Sequence, residues 1–354
     1  MRTPVWRALG LLFVLVFSLA AARPMPPEAL GKYIEKKLRR NPTALRLNEK
    51  LIGDEGAAFL AQSPLMKSVV VLKIYKGKVG DPGIRELAQS RNLTSLKELY
   101  IENNEVTDIG ARYLAESPHL ANLRVLNLYR NHIGDEGARH LANSRNLPAL
   151  EELNLNFNLV GDAGAKALSV SPHLKNLEKL GLMYNRLTRD GSLAWDNFKF
   201  KQQLKVWHEQ GTLGNLENQY IGDRGLEILL ASPYIDGIRE LNLSYNNLSD
   251  RGVAALTKSP KLKQLVTLEL AGNHITDRGA RILAKSTAWT QLKNLNLNFN
   301  RIGNRGAQAL AKSPALAQLE SLRLGQNQIG SEGARALAES DHLKNLIYPI
   351  FGFY

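Results

Sequence analysis

A spacing of 27 residues recurs along almost the whole chain, and it restricts the fold to a stack of like units. The unit is clearest from Leu123 to Ser144: Leu123, Leu126, Leu128, Asn131, Ile133, Asp135, Gly137, Leu141 and Ser144 reappear, with small changes, from Leu150 onward. With the residue after the recurring Gly as marker, the series reads Asp54, Asp81, Asp108, Asp135, Asp162, Arg189, Asp223, Asp250, Asp277, Asn304 and Ser331. Every step is 27 residues except that from 189 to 223, which is 34.

Within a unit the apolar period changes. Leu126 and Leu128 fall two apart, as on one face of a strand, whereas Ala138, Leu141 and Ala142 fall at helical spacing. Between them the marker Asp suits a helix N-cap, where its carboxylate would accept orphan N–H groups; Asn304 and Ser331 serve equally, and Arg189 does not. The helix is expected to stop at Ser-Pro, as at Ser63-Pro64, Ser117-Pro118 and Ser313-Pro314, because a residue before proline is pushed out of the α region. A second register, Asn104, Asn131, Asn158, Asn185, Asn246, Asn273, Asn300 and Asn327, is expected to form a ladder. Asn there tolerates left-handed backbone and can bond main chain in the turns. Lys50 and Gly77 occupy the first two places, so the ladder should begin in the third unit. Ordering one such unit costs more chain entropy than its few aliphatic side chains return, so its stability must come from stacking on neighbours.

The pattern LxxLxLxxNxIGDxGAxxLAxSP resembles the leucine-rich repeats of the ribonuclease-inhibitor-like subfamily, in bacterial-type tandem form, over about 85% of the chain. The resemblance implies an α/β leucine-rich-repeat solenoid, a horseshoe with a parallel β-sheet on the concave face and short helices on the convex face. It further implies a protein partner bound by the concave face, and no reaction. The solenoid is expected over 45–346 as about eleven units, with an irregular sixth at 189–222.

The two ends are of other kinds. Arg2 and Arg7 precede the uncharged, largely apolar stretch Ala8 to Ala22, and Ala20-Ala21-Ala22 supplies small residues for cleavage before Arg23. Residues 1–22 therefore read as a signal peptide and the protein as exported: secreted, periplasmic or in the cell envelope. The basic residues that follow resist translocation, which keeps a retained N-terminal membrane anchor open. Residues 23–44 read as a basic capping segment, with Ala29–Arg40 as a short amphipathic helix. The stretch 23–50 holds eight basic and three acidic residues, enough to attract an acidic partner or anionic surface. Residues 347–354 form an apolar tail, either covering the last coil or marking a self-association edge.

The formal charge of +13 spreads mostly over helix positions such as Arg112, Arg139, Lys166 and Arg335. Without a groove-reading element it supports no specific nucleic-acid binding. The absence of cysteine excludes disulfides, thiolate metal sites and a cysteine nucleophile. His119, His173 and His342 recur at one register, and His132 and His274 at another, as scaffold positions do. No metal, cofactor or catalytic motif appears, and no cofactor is expected.

In LxxLxLxxN the residues between the apolar positions point away from the core. The pair before each ladder Asn includes Tyr129, Arg130, Phe157, Tyr184, Tyr245 and Phe299, the expected partner-binding residues. Phe157, Tyr184 and Tyr245 are expected as neighbours, with Tyr129 beside them. The sixth unit carries the excess, either after a degraded strand at Leu204 or before Leu216, which lies 27 residues ahead of Leu243. Its aromatics, Trp195, Phe198, Phe200 and Trp207, form either a specialised loop or plugs for a packing defect.

The leading reading is thus an exported, non-enzymatic protein-interaction module. The alternative is a membrane- or envelope-attached protein held by its basic N-terminal segment. A third reading, an enzyme using His208 and Glu209 in the sixth unit, requires that pair to face a cavity.

Overall fold

The computed structural model describes residues 23–347 and 350–351, so the expected leader at 1–22 and residues 348–349 and 352–354 of the tail lie outside the described residues. The chain forms two compact units. One runs to Gly164 and takes in Ser171–Leu177 and Gly181–Arg186; the other holds Ala165–Val170, Glu178–Leu180 and the chain from Leu187 onward.

The chain enters through α1 (Pro27–Arg40), an amphipathic helix that buries Leu30, Ile34 and Leu38 and turns its lysines and arginines outward. This is the capping helix expected in the basic segment. Strand and helix then alternate: β1 (Ala44–Asn48), α2 (Gly53–Gln62), β2 (Val71–Tyr75), α3 (Asp81–Gln89), β3 (Glu98–Glu102), α4 (Asp108–Ala115), β4 (Val125–Asn127), α5 (Asp135–Ala142), β5 (Glu152–Asn154), α6 (Asp162–Ser169) and β6 (Lys179–Gly181). β1 to β6 make a parallel sheet in sequence order. The register advances by 27 residues per strand, Leu72 opposite Leu99 and Leu99 opposite Leu126.

The second unit carries α7 (Arg189–Glu209), α8 (Gly222–Ala231), β7 (Glu240–Asn242), α9 (Asp250–Lys258), β8 (Thr267–Glu269), α10 (Asp277–Ala284), β9 (Asn294–Asn296), α11 (Asn304–Ala311), β10 (Ser321–Arg323) and α12 (Ser331–Ala338), with β7 to β10 again a parallel sheet in sequence order. Beyond α12 the described part of the tail lies along the last coil: Ile347 N–H bonds Glu320 O and Leu324 N–H bonds Ile350 O, each at 2.9 Å. Inward strand leucines such as Leu126, Leu128, Leu241 and Leu243 are fully buried.

Three hydrogen-bond ladders link successive repeats, with breaks where Arg189 replaces the Asp and where the Ser232 and Ser259 hydroxyls have no hydrogen-bond partner. The Asn ladder begins in the third unit, as expected. Asn104 Oδ1 accepts from Gly77 and Val79 N–H, while its Nδ2 donates to Ile74 O and Glu102 O. The left-handed residue, however, is the one before the ladder Asn: Asn103, Arg130, Phe157, Tyr184, Tyr245 and Phe299 all have φ near +55°, within 54–57°. The chain reverses there, which lets the following Asn fold its amide inward onto buried backbone.

The Asp register departs further from expectation. Asp occupies the first helical residue, and the N-cap is the residue before it, as with Thr107, Ser249 and Thr276, whose hydroxyls cap their own helices. The Asp carboxylate instead caps the next repeat's helix. Asp108 Oδ1 accepts from Gly134 N–H at 2.6 Å and Gly137 N–H at 2.9 Å, and Asp277 repeats this on Gly303 and Gly306 at 2.7 and 2.8 Å. The carboxylate comes so close that a Cβ on Gly137 would sit 2.6 Å from Asp108 Oδ1, which accounts for Gly at this register wherever a carboxylate precedes it; at Gly56 and Gly225 a Cβ would instead meet Ile52 and Ile221. The third ladder uses the serines read only as helix stops. Ser117 Oγ donates to Ala88 O, Ser144 to Ala115 O and Ser313 to Ala284 O, satisfying last-turn carbonyls of the preceding helix.

The seven-residue excess lies inside a helix. α7 has 21 residues where α9 has nine, and Leu216 then bonds Asn242 O in register with the next repeat, so the reading that placed the excess before Leu216 holds. Arg189 begins this helix beneath a Thr188 cap and offers no carboxylate to the following repeat. At α8 no side chain caps the N-terminus, and the Phe200 ring lies 3.4 Å from where a Gly225 Cβ would be, at the register filled elsewhere by an Asp. Phe198 and Leu204 are buried, and Phe200 and Trp207 pack on the core in an edge-to-face pair at 6.0 Å. These aromatics fill the defect that the long helix makes.

Candidate functional site

The strands show their second face to solvent, and on the first unit this face carries a run of rings. Tyr129 meets Phe157 edge-on at 5.1 Å between centroids, and Phe157 stacks on Tyr184 at 4.1 Å with 21° between planes. The series then opens to water: Tyr129 is half-buried, Phe157 is 40% exposed and Tyr184 70% exposed, with Met183 beside it at 53%. Arg130 stands exposed next to the rings. Aromatic, Met and Arg side chains with this exposure have the composition of an interface hot spot.

The backbone makes the residue choice more telling. Phe157, Tyr184, Tyr245 and Phe299 occupy left-handed positions, where Gly or Asn would fit with little strain, and Gly272 and Asn103 fill equivalent places. A bulky side chain there costs roughly 1–2 kcal/mol relative to right-handed backbone. The repeat scaffold does not require that cost, since other units avoid it.

Only three of the four expected rings come together. The register position one repeat before Tyr245 is Asn218, whose N–H bonds Ser244 O, because the sixth unit's irregularity is followed by a further strand-like segment. Tyr245 belongs to the second unit, where its ring lies over the bare Cα of Gly272; Phe299 stands one repeat beyond Gly272, two beyond Tyr245, and is 49% exposed. The first unit thus presents the cluster Tyr129, Arg130, Phe157 and Tyr184, and the second presents Tyr245 and Phe299 separately.

The position between the two strand leucines, also read as outward, was not named among the expected partner-binding residues. Lys73, Tyr100, Asn127 and Asn154 occupy it on the first unit and Asn242, Glu269, Asn296 and Arg323 on the second, all outward because strand residues alternate faces. The same alternation that named the outward pair covers them. Lys73 and Tyr100 line a cavity of about 300 Å³ with Asn48, Tyr75 and Glu102, and Lys73 Nζ sits 3.5 Å from the Tyr100 ring centre. Burial raises the Tyr100 pKa to about 12, helped by its hydrogen bond to Glu98 at 3.0 Å and by the nearby carboxylates.

The proposed acid–base pair does not form a site. His208 stacks on Tyr234 at 4.7 Å, and Glu209 lies exposed, 3.9 Å from Lys205. Lys205 pairs with Glu178 at 2.7 Å, which lowers the carboxyl pKa and raises that of the lysine. The cavity beside α7, about 460 Å³, is lined by Lys166, Asp190, Asn197, Lys201 and Arg224 among others, not by His208 or Glu209. Among the described residues no group of His, Asp and Glu is arranged to hold a metal, and no helix is long and apolar enough to cross a membrane.

A family model described as Leucine Rich repeat matches residues 92–115, 119–142, 146–169, 238–256, 262–284, 290–311 and 317–338. No curated protein matches the chain. Among solved structures the chain is similar to an internalin (inlF) from Listeria monocytogenes str. 4b F2365, at 19% identity and TM-score 0.27 over 89% of this chain and 93% of that one. It is also similar to a plant ice-binding protein, at 17% identity and TM-score 0.31 over 88% and 70% of the two chains. A third is a TDR receptor, at 16% identity and TM-score 0.30 over 86% and 50%. At such scores these likenesses carry no argument about function.

Proposed function

We propose that the chain, seven segments of which match a Leucine Rich repeat model, is a non-enzymatic interaction module holding a protein partner on the open face of its strands. The 27-residue strand–helix unit supports placing it in the ribonuclease-inhibitor-like subfamily of bacterial type. One observation carries the binding reading: Phe157 and Tyr184 stack in solvent, at left-handed positions, beside Met183 and Arg130. Packing does not explain a ring that is 70% exposed, and backbone geometry opposes it. A partner covering the patch would bury Tyr184 and Met183 at the centre, with Arg130 and Asn103 at the rim. The leader-like residues 1–22 support export, so the partner is met outside the cytoplasm.

The test is site-directed photocrosslinking in the native host, with a photoreactive phenylalanine at Tyr184 or at Arg139 on the helix side. A discrete adduct is expected from position 184 and not from 139, and it should vanish when Phe157→Ala and Arg130→Ala are added. Equal adducts from both positions would overturn the assignment. Sequencing the N-terminus of protein recovered outside the cytoplasm should begin at Arg23; a chain found only inside the cell with Met1 retained would refute export.

A further inference from the structure

The helix face of the second unit carries two rows of cations that the repeat does not need. At the second helical residue of α9, α10 and α11 stand Arg251, Arg278 and Arg305, and eight residues after each marker stand Lys258, Lys285 and Lys312; all six are exposed. On α2 to α6 the same two registers hold Glu55, Pro82, Ile109, Glu136 and Ala163, then Gln62, Gln89, Glu116, Asn143 and Val170. No basic residue occurs among them, although the same ladders form. The scaffold therefore does not dictate the rows. Local electrostatics even opposes the first, since arginine at a helix N-terminus meets the positive end of the macrodipole.

Little on these helices neutralises the charge. Asp250 and Asp277 spend their carboxylates capping the next repeat. Arg251 pairs with Glu227 at 2.7 Å, but among the described residues none of Lys258, Arg278, Lys285, Arg305 and Lys312 has a carboxylate within 4.0 Å. Glu227 on α8 and Glu332 and Glu339 on α12 bound the patch on either side. Between α10 and α11 a depression of about 450 Å³ has Arg281, Lys285, Lys312 and Thr287 around an apolar floor of Ala284, Ala309, Pro314 and Ala315, with no acid in its lining. Three cationic groups around an open hollow suit a phosphate group.

The two rows lie about 10 Å apart along the helices, from a rise of ~1.5 Å per residue, and neighbouring packed helices are about 8–10 Å apart. The cations thus form a two-dimensional lattice rather than a line. We propose that this face docks on an anionic lipid surface, with phosphate-bearing headgroups as its ligands. A sheet of headgroups engages both rows at once, whereas a linear polyanion follows one. This inference stands apart from the strand-face reading and from the expected role of residues 23–50.

Co-sedimentation of the full chain with phosphatidylcholine vesicles, with and without one-third phosphatidylserine, tests it. Anionic vesicles should bind more protein than neutral ones at low salt, and the excess should disappear at high salt. Neutralising either pair, Arg278→Gln with Arg305→Gln or Lys285→Gln with Lys312→Gln, should weaken that excess by about 25-fold, at roughly fivefold per charge. The thermal midpoint of the arginine variant should stay at or above that of the parent and that of the lysine variant close below it, since lysine at a helix C-terminus is mildly stabilising, and Tyr184→Ala should bind vesicles normally. Dependence on one row only, tighter binding to duplex DNA than to anionic vesicles, or loss confined to a Lys36→Gln, Arg39→Gln, Arg40→Gln variant of α1 would overturn the proposal.

Discussion

Replacing Asp277 with alanine should damage the repeat after its own. The carboxylate sits at the first residue of α10, yet its Oδ1 receives the N–H groups of Gly303 and Gly306 at 2.7 and 2.8 Å. α10 itself is capped by Thr276, whose hydroxyl accepts from Arg278 N–H at 3.2 Å, and by Asp250, which accepts from Gly279 N–H at 2.9 Å. Asp277→Ala therefore strips the first turn of α11 and leaves that of α10 intact. Loss of a cap costs roughly 0.5–2 kcal/mol, and hydrogen bonds to charged groups lie at the upper end of the usual range. Asp277 is only half-exposed, so water replaces the carboxylate poorly, and about 2 kcal/mol is expected. Asp277→Asn should cost about half as much or less, because Asn304 already fills this role, its Oδ1 accepting from Gly330 and Gly333 at 2.8 and 3.1 Å. Urea unfolding gives the magnitude, and native-state hydrogen exchange gives the location. Amides of Gly303 and Gly306 should lose protection while Arg278 and Gly279 keep theirs. The reverse pattern, with α10 frayed and α11 unchanged, would refute cross-repeat capping.

Gly137→Ala should destabilise by about 2 kcal/mol despite alanine's better helix propensity. The new methyl would lie 2.6 Å from Asp108 Oδ1 and 2.8 Å from Ile133 Cγ2, and a raised urea midpoint would contradict this. Tyr184→Gly should be more stable than Tyr184→Ala by about 1 kcal/mol, since both lose the stacked ring but only glycine relieves the left-handed strain; equal midpoints would count against strain at that site. In ultraviolet titration one tyrosine should ionise near pH 12, and Glu98→Gln should lower that value. The folded pKa of Tyr100 is raised above the ordinary tyrosine value of 10.0, so its contribution to stability is complete below pH 10 and is lost as pH climbs towards 12. A uniform titration of all tyrosines would exclude the raised value.

The repeating element was legible because its causes are local. Two leucines at strand spacing, a short run at helical spacing and a proline each act within a few residues of themselves. The Asn register was legible too, since an amide beside a chain reversal has only backbone to bond. The Asp register was readable as a cap but not as a cap for a neighbour. Gly80 N–H and Asp54 Oδ1 meet at 2.7 Å across 26 residues, and no local pattern reports that distance. The serine rungs were hidden in the same way behind a proline that explained the helix end by itself. The expected neighbourhood of Tyr184 and Tyr245 failed because a helix of 21 residues absorbed the excess and left one more strand-like segment, with Asn218, ahead of Tyr245.

By itself, then, the sequence determined the unit and the outward position of Tyr129, Phe157 and Tyr184, because side-chain direction follows from backbone period. Only the tertiary structure decided which groups complete one another: Asp108 with Gly137, Ser117 with Ala88, and Arg281 with Lys312 around one hollow. The physical reason lies in the stacking. A solenoid unit satisfies its helix ends, buried turns and exposed rings with atoms of the adjacent unit, and those contacts exist only after the coils are laid against each other.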